Sequence, residues 1–112
     1  MELFSKAVKD QLADLVFSAH EAALRQALSK LSDQFVRWRR GEIGSFDLAD
    51  RIHEFHDGPN REIYKRFTFH RNADLPMLVA YGIAVGLINA TTVPKEVQPQ
   101  LESWLELYRR QS

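Results

Sequence analysis

The sequence predicts an all-α protein, a compact bundle of five or six helices with a long N-terminal helical arm. Three observations predict this class: residues 1–40 contain no glycine or proline, no long segment alternates with the period of two typical of strands, and short connections separate the helical patterns. At 112 residues and 45% hydrophobic content, we expect one domain with its own core. Residues 1–40 would form the arm and residues 45–110 the helical core.

The N-terminal arm is rich in good helix formers and carries two apolar stripes with steps of three and four. The stripes are Val8, Leu12, Leu15 and Ala19, and then Leu24, Leu28, Leu31, Phe35 and Trp38. A step of five separates them, and Ser18 and Glu21 form a capping-box pattern at that point. These features slightly favour two helices, about 3–17 and 19–40, with a bend near Ser18. A single helix of nearly 40 residues is the alternative.

A second helix is predicted to begin at Ser45, a good N-cap residue, after the turn "RGEIGSF". Its expected buried face is formed by Phe46, Leu48, Ala49, Ile52 and Phe55. Asp57-Gly58 would end the helix with Gly58 in a left-handed conformation, and Pro59 suits the first turn of the next helix. The sequence therefore predicts a tight corner at Gly58-Pro59.

The most apolar segment predicts a buried helix near 76–90, which is shorter than the roughly 20 residues needed to cross a bilayer. Gly82 and Gly86 lie one turn apart in it, so a neighbouring backbone could approach closely. The last helix is predicted to begin near Gln98, because Pro99 cannot lie deep in a helix. Its apolar stripe consists of Leu101, Trp104, Leu105 and Tyr108.

Composition excludes several classes of function. Fifteen basic and fifteen acidic residues give a formal net charge of zero, so we expect no nucleic-acid partner and no attraction to an anionic membrane. The absence of cysteine excludes disulfide scaffolds, thiol catalysis and cysteine-ligated metals. The N-terminus lacks the basic start and unbroken apolar core of a signal peptide. We therefore expect a cytoplasmic, bacterial-type protein that needs no cofactor.

The segment "DRIHEFHDGPNRE" concentrates polar residues around the predicted corner and supplies the candidate ligand or metal site. The candidate residues are His53, His56, Asp57, Arg61 and Glu62. His53 and His56 could share a helix face, but a zinc site needs a third ligand, and the second half of a di-iron pattern is missing. An anion held by Arg61 and free amides at a helix N-terminus is the second hypothesis. We favour a structural role, with an ion pair across the corner and no bound metal.

A longer stretch resembles a known group of proteins. Three segments carry the likeness, over roughly residues 40–97: "GEIGSFDLADRIHEFHDGPNREIYKRF", "LVAYGIAVGLI" and "VP-E". They resemble a family of small bacterial helical proteins of unassigned function. Residues 1–39 fall outside this likeness. The resemblance implies that the five candidate residues, together with Gly58 and Pro59, belong to one unit, and it transfers no catalytic role.

The function expected from these patterns is a non-enzymatic protein–protein interaction module that forms a homodimer through its N-terminal helices. The second apolar stripe extends further than a core of the remaining 70 or so residues requires. The expected interface residues are Phe17, Leu24, Leu28, Leu31, Phe35 and Trp38. The alternative is a metal- or anion-binding helical protein, of the hydrolase class, centred on the five candidate residues.

Overall fold

The fold of the chain is all-α, as predicted. A computed structural model describes residues 4–68 and 70–111, and every regular element within those ranges is helical. The helices are α1 (Lys6–Arg39), α2 (Ser45–Phe55), α3 (Arg61–Phe67), α4 (Leu75–Ala84) and α5 (Gln98–Gln111). A π-helical turn, His56–Asn60, joins α2 to α3 without a break. The described residues therefore form four helical bodies, and the predicted count of five or six is not confirmed.

Helix α1 is continuous from Lys6 to Arg39, so the favoured division into two helices near Ser18 is wrong. The residues it buries most deeply are Val8, Leu12, Val16 and Ala19. Leu15 is only half-buried, because the inward row advances by four residues from Leu12 and reaches Val16. The capping pattern does not form either: the Glu21 carboxylate accepts a hydrogen bond from Arg25 at 3.0 Å, on the helix surface. Because this region contains no glycine or proline, helix propensity keeps the backbone helical past Ser18.

The chain divides into two compact units, and α1 contributes to both. The first unit combines residues 1–20 with 69–112, and the second comprises residues 21–68. In the first unit α4 packs on α5, and the rings of Tyr81 and Tyr108 meet edge to face with centroids 5.8 Å apart. The largest fully buried side chains of the described residues all lie in this unit: Leu12, Leu75, Val79, Val97 and Leu101.

The buried apolar helix is confirmed, but it ends at Ala84 and not near residue 90. Gly86 adopts a left-handed conformation with φ of +82°. The amide of Leu87 then donates to the carbonyl of Gly82 at 2.7 Å, which is the six-to-one hydrogen bond of a glycine-terminated helix. The close approach predicted at Gly82 is made by the side chain of Ile88, which folds back onto it. The predicted start of the last helix at Gln98 is confirmed.

The second unit has a thin core. Among its described residues only the side chains of Leu48 and Phe67 are buried. The turn between α1 and α2 is fixed by polar contacts: the Trp38 indole donates to the Ser45 hydroxyl at 3.0 Å, and the Gly44 amide donates to the Asp47 carboxylate at 3.0 Å. The N-cap of α2 is therefore Gly44, one residue before the predicted Ser45.

Within the described part of the chain, none of the helices is both long and apolar enough to span a membrane.

Candidate functional site

The predicted corner at Gly58-Pro59 is wrong, because the backbone stays helical through it. Gly58 is not among the glycines with positive φ, and Pro59 lies inside the π-helical turn. The amide of Arg61 donates to the carbonyl of Gly58, so α3 continues the preceding turn. A wider π turn accommodates the missing N–H of proline at the cost of one irregular turn. Gly58 and Pro59 are residues that often end a helix, but here they form a π-helical turn within a continuous helix.

The five candidate residues are all exposed on this continuous helix. The His56 Nδ1 atom and a carboxylate oxygen of Asp57 are 3.1 Å apart, and both side chains are largely in solvent. Among the described residues, Asp57 makes this contact with its neighbour and no ion pair with Arg61. The ion pair expected across the corner is therefore absent from that part of the chain. An exposed pair of this kind contributes under about 1 kcal/mol.

The geometry gives little support to a metal or an anion at this place. No group of three or more histidine, aspartate or glutamate side chains in residues 4–68 and 70–111 is placed to hold a metal ion. The anion hypothesis needed a helix N-terminus at Pro59, and the helix does not begin there. Both hypotheses stay predictions from the sequence.

Replacement of Gly58 by alanine distinguishes a helical turn at this residue from the predicted corner with a left-handed Gly58. We expect Gly58→Ala to raise the free energy of unfolding by about 0.5–1 kcal/mol, because alanine is the better helix former and the added Cβ meets no atom within 4 Å. Chemical denaturation measures the change. Gly41→Ala is the matched control: it also has open space, but its φ is +75°, so it should lower stability. A loss of about 1 kcal/mol on Gly58→Ala would contradict the helical turn.

The structure does assemble an apolar surface on the second-unit part of α1. We call it the α1 face, and it consists of Leu24, Leu28, Leu31, Phe35 and Trp38. Leu28 is 46% exposed and Trp38 is 40% exposed, while the other three are half-buried. A shallow groove of about 410 Å³ runs beside Leu24 and Leu28. The predicted interface stripe is thus incompletely covered by its own unit.

Polar residues border the α1 face. Arg25 and Glu21 form an ion pair at 3.0 Å beside the groove. The hydrogen bond to Glu21, and then the charge of that carboxylate, raise the pKa of the Arg25 guanidinium above its usual value. Phe17, the remaining predicted interface residue, belongs to the first unit and is 73% exposed.

Sequence reasoning misplaced one aromatic residue. Phe46 was expected in the buried face of α2, but it is 91% exposed. Phe46 lies two residues before buried Leu48, which is about 200° around a helix, so the two cannot face the same way. Helical periodicity could have found this. The residues on its side are Asp50, His53 and Asp57, at successive steps of four, three and four.

Comparison of the chain with models of protein families, with curated proteins and with solved structures gave no match. The likeness to small bacterial helical proteins stays a prediction from the sequence. Function must therefore be argued from the surfaces that the fold presents.

Proposed function

We propose that this chain is a protein–protein interaction module whose α1 face joins it to a second copy of itself. One observation carries the proposal: a row with the 4-3-4-3 spacing of helix-packing positions stays open at its second residue, Leu28, and at its last, Trp38. Such a row normally packs against another helix. In the second unit, Leu24, Leu31 and Phe35 are half-buried, whereas the side chains of Leu28 and Trp38 remain exposed to water.

Burial of apolar surface would stabilise the dimer. Each square ångström of apolar surface removed from water contributes about 25 cal/mol, and large side chains such as tryptophan dominate interfaces. A two-fold axis presents the same face twice, so every exposed side chain on the α1 face would be covered in both copies. The proposal assigns no enzymatic activity, and it places no function on the five candidate residues, which lie exposed on a helix.

A charge introduced at Leu28, within the α1 face, tests the proposal. We expect Leu28→Glu to convert a dimer into a monomer, because a carboxylate would have to be buried without a partner. Since Leu28 is nearly half exposed, the fold should survive, which circular dichroism checks. Light scattering measures the mass.

The matched control is Gln26→Glu, which adds the same charge at an exposed position about 160° around α1 from Leu28. It should leave the dimer intact. Equal masses for the unmodified chain and for Leu28→Glu would contradict a role for the α1 face in self-association.

A further inference from the structure

We infer that, in the dimer proposed above and resting on that proposal, the arginine-rich end of α1 in one copy docks on an acidic row of α2 in the other. The basic end consists of Arg37 and Arg39 in the last turn of α1 and of Arg40, which follows the helix directly. The outer row of α2 consists of Phe46, Asp50, His53 and Asp57, which share the face opposite buried Leu48. This assigns a partner surface to each of the two patches.

Charge is separated within the second unit although the whole chain is neutral. Residues 25–40 carry five basic side chains and one acidic side chain, a net charge of +4. Residues 45–60 carry four acidic side chains and one basic side chain, a net charge of −3 with histidine neutral. Two helical segments of one unit therefore have nearly complementary charges.

Some of these charged side chains form no ion pair within the described part of the chain. Arg39, Arg40 and Asp50 form no ion pair with any residue that the structure describes. The charged contact in the connection between the two helices joins Arg37 to Glu42 at 3.7 Å, and it does not reach α2. Both patches thus keep charge that a partner surface could pair.

Phe46 indicates that the outer row is a contact surface. It is the most exposed of the large apolar side chains described, at the head of an otherwise polar row. A phenylalanine flanked by carboxylates suits arginine, because a guanidinium can stack on the ring while it pairs with the acids. The basic end supplies such groups.

A second copy fits because the two patches adjoin the α1 face. Trp38, the last residue of that face, is hydrogen-bonded to Ser45, and Ser45 precedes Phe46 in α2. An isologous interface is reciprocal, so a contact of the basic end of one copy with the outer row of its partner occurs twice. Complementary charges would then fix the orientation of the two copies as well as attract them.

Charge reversal in the full-length chain tests the pairing. The acidic-row variant is Asp50→Lys with Asp57→Lys, and the basic-end variant is Arg39→Glu with Arg40→Glu. All four residues are exposed, and circular dichroism checks the fold. Sedimentation equilibrium gives the dimer dissociation constant, which we expect to rise at least about tenfold in each variant, as each reversal turns attraction into repulsion in both copies. The control for the acidic-row variant is Glu96→Lys with Glu102→Lys, which makes the same change in net charge in the first unit.

An equimolar mixture of the two variants decides the inference. A heterodimer that is tighter than either variant alone, together with weaker association of the unmodified chain at high salt, supports the pairing. Dissociation constants unchanged in both variants would overturn it while the α1 face remained the interface. Weakening by the basic-end variant alone, without rescue in the mixture, would also overturn it. A monomeric unmodified chain would overturn both this inference and the proposed function.

Discussion

Truncation of Leu12 to alanine should lower the free energy of unfolding by about 2–5 kcal/mol. The Leu12 side chain has 0% exposure, so the substitution removes buried methyl groups and leaves a cavity. The lower end of this range applies if the neighbouring side chains relax into the space. Few of the described positions combine a large side chain with complete burial, and this one anchors the first turns of α1.

Leu15→Ala is the matched control, because it deletes the same atoms from a half-buried residue one turn away. Chemical denaturation of both variants at one protein concentration measures the difference, since association would otherwise shift apparent stability. We expect the Leu12 substitution to cost clearly more. An equal or larger cost at Leu15 would contradict the inward row through Leu12 and Val16 and would favour the stripe inferred from spacing.

The contact between Gly82 and Ile88 should produce a change of sign in a double-mutant cycle. A Cβ atom at position 82 would lie 2.5 Å from Cδ1 and 2.8 Å from Cγ1 of Ile88, so one of the two must shift. Overpacking of this kind costs about 1–3 kcal/mol. The better helix propensity of alanine offsets up to about 1 kcal/mol of that cost. We therefore expect Gly82→Ala alone to be destabilising.

In a chain that already carries Ile88→Ala, the same Gly82→Ala substitution should become stabilising, because the clash is gone and only the helix propensity remains. Urea denaturation of the four proteins in the cycle gives the coupling energy between the two positions. A coupling near zero would mean that Ile88 does not fold back onto Gly82.

Local chemistry explains which parts of the fold the sequence could predict. Helix propensity and apolar spacing predicted the helices, and Pro99 indicated where α5 begins. The division into two helices near Ser18 was wrong because a helix can change its buried row by one position, from Leu15 to Val16, without a break. The corner was wrong because a π turn tolerates glycine and proline together, and only the surrounding structure decides between the two outcomes.

The candidate surfaces show a different limit. The α1 face was predicted from spacing alone, yet the same 4-3-4-3 pattern serves a core and an interface equally well. Only the exposure of Leu28 and Trp38 in the folded unit points to an interface. The outer row of α2 could have been found from periodicity, but the polar residues at the supposed corner drew the functional interpretation to His53 and His56.

The mass of the unmodified chain, measured by sedimentation equilibrium, is the direct test of self-association through the α1 face. One chain has a mass of 13.0 kDa. Over roughly 1–100 µM, the range in which micromolar affinities become visible, we expect the mass to rise toward twice that value. A mass that stays at 13.0 kDa across the whole range would contradict self-association through the α1 face.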